Sequence, residues 1–302
     1  MSLWHFAIAL FSTPSTRKDH PCRSTLSSRP TAKLVLSTCW QVIGDPSPSD
    51  IINSMQVVVD GLKTHYLDIN PQEKNTLVFL HGWKSSSKFW VPFSKLLKST
   101  HRIILIDLPG FGSTDQFSTE PEIPLFTDFI HHFVKRLKLK NITLVGHSFG
   151  GLLALDYAIK YPADLSFLIL VAPAVVKEKP SQAKRKIRFA EIARPLFTII
   201  PNNHFEKYLG WYTPRDYRHA NEYQQKILKK IVLYDLKPSL NKVTIPTNIV
   251  WGKLDFVVPN LGKYLNTKIP NSHLHVIDGS GHLCFLTHPK ELSDIFNQIL
   301  SD

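Results

Sequence analysis

NITLVGHSFGGLLALDYAIKYP, residues 141–162, places a serine between a strand pattern and a helix pattern. It opens on a short apolar run from Ile142 to Val145, rich in β-branched residues, which suits a buried strand. Gly146-His147-Ser148-Phe149-Gly150-Gly151 interrupts the run, and apolar residues then return at helical spacing at Leu152, Leu153, Leu155, Ala158 and Ile159. Pro162 stops that helix. A serine is thereby placed in a glycine-flanked turn between a strand and a helix. Such a turn is tight, its serine backbone is strained, and larger side chains two positions away would clash with the strand or the helix. A glycine–x–serine–x–glycine pentapeptide arises by chance in roughly one chain of this length in ten. The strand before it and the helix after it are what give it meaning.

On both sides of this stretch, strands and helices alternate. Residues 56–59 and 62–69 flank Asp60-Gly61, a hairpin turn signal. Residues 76–80 form a buried strand followed by His81-Gly82-Trp83, a polar loop and a helix over about 88–98. Residues 102–106 form the next strand, running into Asp107-Leu108-Pro109-Gly110-Phe111-Gly112, and residues 125–137 are helical by period. Beyond the central stretch, 165–171 is another buried strand. Residues 173–246 then break the rhythm: this segment is helical, basic and aromatic, with Phe197, Phe205, Tyr208, Trp211, Tyr212, Tyr217 and Tyr223. Strands resume at 247–251 and 274–277, with helices near 261–265 and over 289–300. This alternation predicts an α/β fold, a mostly parallel sheet with helices on both faces and an antiparallel hairpin at one edge.

Residues 1–54 differ from the rest. Ser, Thr and Pro are dense there and no apolar period is sustained, so disorder is expected. Arginines among serines faintly suggest an organellar transit peptide, but three aspartates oppose it, and the apolar residues 3–11 lack a basic leader and a small-residue cleavage site. Met55 opens the first well-patterned element, so a start at Met55 is an alternative reading of this region. The expected organisation is a tail over 1–54, a core over 55–172, an insertion over 173–246 and the rest of the core over 247–302.

Composition narrows the class. The 302 residues carry 43% hydrophobic and 20% charged side chains, which is globular composition. No apolar run reaches transmembrane length. Three scattered cysteines, Cys22, Cys39 and Cys284, form neither a disulfide framework nor a zinc pattern, and suit a reducing, cytoplasmic compartment. The net charge of +12 is concentrated in residues 177–242, with 15 Lys and Arg against 6 Asp and Glu. A solvated helical surface is the simplest account. Attraction of an anionic substrate or an acidic membrane surface is the sharper one. No nucleic-acid-reading motif accompanies the charge.

In sheets of this kind the functional crevice lies at the carboxyl ends of the strands. The residues that carry chemistry follow strands here. A serine hydroxyl needs a base within hydrogen-bond reach, and the base needs an orienting acid. His282, in Gly279-Ser280-Gly281-His282 after the last strand, is the candidate base, because a neutral imidazole can take a proton and return it. Asp255, in Gly252-Lys253-Leu254-Asp255 after the strand 247–251, is the candidate acid. The loop after 165–171 offers no carboxylate before Glu178, and Asp278 suits a turn. The order Ser148, Asp255, His282 is the serine–acid–histidine order of such a sheet. Oxyanion donors are expected from the backbone N–H of Phe149 and that of Trp83. His81 and His147 are read as structural hydrogen-bonders. Phe285, Trp211 and Tyr212 are candidates for the substrate pocket, and Cys284 is not expected to be a nucleophile.

These motifs, taken together, resemble the α/β-hydrolase superfamily in order and spacing: His81-Gly82-Trp83, the Asp107 to Gly112 run, Gly146 to Gly151, Gly252 to Asp255 and Gly279 to His282. The resemblance spans about 55–302, with 173–246 similar to the family's helical lid. It is nearest to single-domain serine esterases and to carbon–carbon bond hydrolases of aromatic ring cleavage. Epoxide hydrolases and haloalkane dehalogenases look similar but use an aspartate nucleophile, which Ser148 disfavours. The resemblance implies a serine hydrolase acting on a small carboxylic ester, thioester or activated ketone. A lyase or acyltransferase on the same three residues, and a receptor that keeps the fold without catalysis, remain alternatives. No metal or organic cofactor is implied, the expected partner is a small-molecule substrate, and oligomeric state is left open.

Overall fold

A computed structural model describes residues 52–97, 100–175, 220–258 and 260–301. Residues 1–51 of the tail expected over 1–54, and the central part of the insertion, residues 176–219, with Trp211 and Tyr212, lie outside the described residues.

Among the described residues, eight strands form one sheet in the order β1-β2-β4-β3-β5-β6-β7-β8. They are β1 Ile52–Val59, β2 Leu62–Ile69, β3 Thr76–Leu80, β4 Arg102–Ile106, β5 Ile142–His147, β6 Leu165–Val171, β7 Thr247–Gly252 and β8 Ser272–Ile277. The β1–β2 and β2–β4 pairs are antiparallel, and the rest are parallel. This is the α/β-hydrolase fold, a mostly parallel sheet with an antiparallel edge.

The parallel strands are apolar throughout because helices cover both of their faces. Successive side chains point to opposite sides. Val78, Leu80, Ile104, Ile106, Leu144 and Leu168 join one core cluster, while Leu77, Phe79, Ile103, Leu105, Val145 and Ile169 join the other. Helices α2 (Ile123–Arg136) and α3 (Phe149–Lys160) cover the first face with Phe126, Phe129, Phe133, Leu152 and Leu155. The opposite face receives Phe93 of the short helix α1 (Val91–Ser94), Phe285 of α6 (Cys284–Thr287) and Phe296 of α7 (Pro289–Ile299). Each such phenylalanine, fully buried, contributes about 1.5–3 kcal/mol. Two further helices, α4 (Glu222–Leu233) and α5 (Gly262–Lys268), flank β7 in sequence. Among the described residues no helix is long and apolar enough to cross a membrane.

Three boundaries correct the sequence reading. The first described strand starts at Ile52, ahead of the first element expected from Met55, because Ile52, Asn53 and Ser54 pair with Ile69, Asp68 and Leu67. The helix expected over 88–98 is a 3₁₀ turn, Ser87–Trp90, followed by the single turn α1. The four-residue α6 had no period to read and was not anticipated.

Candidate active site

The turn between β5 and α3 sets the site. Ser148 has φ 52° and ψ −112°, a left-handed conformation that costs a residue with a side chain about 1–3 kcal/mol. Its surroundings hold it there: Ser148 N–H donates to Val171 O at 3.1 Å, and its carbonyl accepts from Ala174 at 2.9 Å and Leu152 at 3.0 Å. The glycines at either side are required sterically. A Cβ on Gly146 would lie 2.3 Å from Gly150 O, and one on Gly150 would lie 2.4 Å from Leu80 O. Strand, turn and helix are thus in backbone contact, as the sequence pattern requires. Ser148 itself stays half-buried at the carboxyl edge of β5.

The next loops converge on it. His282, in the loop after β8, donates from Nδ1 to Asp255 Oδ2 at 2.8 Å. The Asp255 side chain is fully buried and its partner nearly so. Asp255 Oδ1 accepts two backbone N–H groups of its own loop, Val257 at 2.8 Å and Val258 at 3.1 Å. A backbone bond from Leu254 N–H to Ser280 O at 2.8 Å ties the two loops together. Asp278, the rejected candidate acid, is instead exposed and pairs with Lys253 at 2.8 Å.

His147 links that pair to the serine turn. Its ring lies 4.7 Å from the His282 ring, and its Nε2–H donates to the His282 carbonyl at 3.0 Å. His282 is therefore tied to the residue preceding Ser148. Among the described residues no hydrogen bond joins Ser148 Oγ to His282. Gly82 approaches from β3, where an added Cβ would sit 3.0 Å from His147 Nδ1 and 3.5 Å from Ser148 Cβ.

His81 and His147 are structural, as their bonding requires. Leu108 N–H donates to His81 Nε2 at 3.0 Å, which leaves Nδ1 to carry the proton toward Gly82 O at 2.8 Å. Burial lowers the pKa of His81, and burial with the neighbouring His282 takes His147 well below the usual imidazole value. Both rings are neutral in the folded protein, whereas in the unfolded chain they titrate near 6.5. Between the lower folded value and the unfolded one, the unfolded state binds more protons, so stability falls as the pH drops. The expected loss below about pH 6.5 is up to about 1.4 kcal/mol per pH unit for each of the two histidines. Urea midpoints at about pH 7 and about pH 5.5 measure it. His101 and His275, also lowered by burial, add to the loss in the same direction, and the depressed carboxylates Asp107, Asp128 and Asp164 titrate below this window. A midpoint that does not move would mean that the rings take up protons in place.

The remaining expected site residues fall in different settings. Phe149 begins α3, and its buried ring packs on Phe126 at 5.3 Å and Phe111 at 6.2 Å. Trp83 is half-buried, and its Nε1–H donates to Gln224 O of α4 at 2.8 Å. Phe285 is only 2% exposed and packs on Trp90 at 4.4 Å and His147 at 4.9 Å, so its ring is core packing beneath the site. Burial pushes the Cys284 thiol up to about 12, which keeps it unreactive. Sequence reading missed the His147 bond to His282 and the Trp83 bond to Gln224. Their partners lie 135 and 141 residues away, and no local pattern signals either.

This combination of sheet order and strained serine turn defines a hydrolase of the α/β class. The chain belongs to the alpha/beta hydrolase family, whose model matches residues 77–295. It is similar to monoacylglycerol lipase ABHD6 of Mus musculus, with 28% identity over 258 residues covering 76% of this chain and 77% of that protein. It is also similar to the uncharacterized hydrolase YugF of Bacillus subtilis, with 26% identity over 271 residues covering 81% and 95%. Among solved structures, the esterase EaEST of Exiguobacterium antarcticum superposes with a TM-score of 0.66 and 25% identity, covering 83% of this chain and all of that one. The protein is an α/β-hydrolase enzyme.

Proposed function

We propose that the enzyme is a serine hydrolase of carboxylic esters, with Ser148 as nucleophile, His282 as general base and acid, and Asp255 as the residue that orients the imidazole. The observation that carries this reading is the 2.8 Å bond from His282 Nδ1–H to the fully buried Asp255 carboxylate, beside the strained turn of Ser148. A carboxylate accepts only, so the imidazole proton sits on Nδ1 and Nε2 is free to receive the serine proton. Ser148 Oγ attacks the acyl carbon, and the oxyanion accepts the N–H groups of Phe149 and Trp83. His282 returns the proton to the departing alcohol, and water then releases the acid by the same path.

Thioesters and activated ketones fit the same machinery. An apolar ester is favoured because Phe256 and Val257, beside Asp255, are 82% and 70% exposed, and Leu254 and Leu283 are exposed on the two loops. The names of the relatives, a lipase and an esterase, support the same class. The insertion over 173–246 is read as a lid, with α4 tied to Trp83 at its closing end. A cytoplasmic location is part of this reading and rests on the few, scattered cysteines.

A panel of p-nitrophenyl esters of increasing chain length, run beside a vinylogous diketone, tests the proposal. Ester turnover with a chain-length optimum is expected. Turnover of the diketone alone would move the enzyme to carbon–carbon bond chemistry, and turnover of neither would favour the receptor alternative.

A further inference from the structure

A second serine, histidine and aspartate meet at the antiparallel edge of the sheet, away from Ser148 in the chain and unused by the reaction above. Ser54 Oγ lies 3.0 Å from His65 Nε2, and His65 Nδ1 lies 2.8 Å from Asp107 Oδ2. We propose that Ser54 is a second acyl-accepting serine, activated by His65 and Asp107, which reacts with activated esters and related acyl donors.

The proton positions follow by elimination. Asp107 Oδ1 accepts Ser87 N–H at 2.7 Å, and Oδ2 accepts Ser113 N–H at 2.9 Å. Burial works to raise the Asp107 pKa, but these donors outweigh it and hold the carboxyl below its usual value. An ionised carboxylate only accepts, so His65 carries its proton on Nδ1. In the neutral ring Nε2 is then an acceptor, and the Ser54 hydroxyl donates to it. The order of donors is the one that makes a serine nucleophilic.

The base is held rigidly. The His65 side chain is 10% exposed and that of Asp107 is 3% exposed. His65 N–H donates to Thr114 Oγ1 at 2.9 Å, and its carbonyl accepts Asp107 N–H at 3.0 Å. Ser54, by contrast, is exposed on β1, the outermost strand among the described residues. An edge strand leaves alternate N–H groups unpaired and open to a carbonyl oxygen. A serine alkoxide is a much poorer leaving group than the phenolate of an activated ester, so acylation is expected to outpace release and the acyl group to remain.

In the step proposed, Ser54 Oγ bonds to the acyl carbon and its proton passes to His65 Nε2. The bond from the acyl carbon to the leaving oxygen breaks, and His65 returns the proton to the departing alcohol or phenol. The products are an ester of Ser54 and the free leaving group.

The test uses the full-length Ser148→Ala variant, so that the proposed main nucleophile is absent. It is incubated with p-nitrophenyl acetate, and acetylated peptides are quantified by mass spectrometry. Ser54 is expected to acetylate about 10²-fold faster than the exposed serines Ser118 and Ser301, the scale of general-base assistance. The accompanying p-nitrophenol burst should disappear in the Ser148→Ala/Ser54→Ala double variant, which removes only a surface hydroxyl. His65→Gln, where it folds, should bring Ser54 down to the rate of the other serines. Acetylation of Ser54 no faster than Ser118 and Ser301 would overturn the proposal, and that ratio is read on the Ser54 peptide itself, whatever the role of Ser148.

Discussion

Replacing Ser148 by alanine is expected to lower kcat for ester hydrolysis by about 10⁶-fold, leaving the small rate that binding and oxyanion donors supply. The reason lies in the turn. Ser148 sits where a residue with a Cβ is strained, held by three backbone hydrogen bonds that do not involve its hydroxyl. Alanine can occupy the same backbone, so the thermal midpoint should move little while the attacking atom disappears. A fluorophosphonate probe should modify the peptide containing Ser148 in the wild type and leave that peptide unmodified in the variant. Ester turnover at the wild-type rate would remove Ser148 from the reaction. Loss of turnover together with loss of fold would be uninformative for alanine, and Ser148→Cys, which keeps a nucleophile, would then decide.

Asp255→Asn is the second large effect, a fall in kcat of up to about 10⁴-fold with the fold retained. The hydrogen bonds around Asp255 predict the sense of the change. Its Oδ1 accepts Val257 and Val258 N–H, and an asparagine oxygen would stay there. The amide nitrogen would then face His282 Nδ1 and donate to it. The imidazole would be forced to carry its proton on Nε2, the edge meant to receive the serine proton. Turnover should fall steeply with little change in KM, and thermal unfolding should confirm an intact fold. Undiminished activity would assign the acid elsewhere. Asp278 is a poor substitute, since it is 79% exposed and paired with Lys253.

Much of the sheet was legible from local pattern alone. Residues 76–80, 102–106 and 165–171 fall on β3, β4 and β6 because each is a short apolar run with both faces covered. Residues Ile52–Ser54 were missed because β1 is a half-exposed edge strand, recruited by pairing with β2 rather than by its own apolar alternation. The helix over 88–98 was overextended because apolar residues at helical spacing continue past the point where the chain leaves the helix. Phe285 was expected at the pocket because it lies three residues from His282, but a turn of helix carries its ring into the core instead.

Residue pattern alone is enough for the order of the strands along the chain, the strained serine turn with its two obligatory glycines, and the positions of Asp255 and His282 after strands. Those depend on contacts between near neighbours, which local residue types report. Which distant groups bond depends on how the chain folds back on itself. That folding sets His282 on Asp255, His147 on the His282 carbonyl, Trp83 on Gln224, and His65 between Ser54 and Asp107. Each of those bonds forms because the sheet order brings separate loops or strands together, and a hydrogen bond a few ångströms long leaves no periodic trace in the residues that make it.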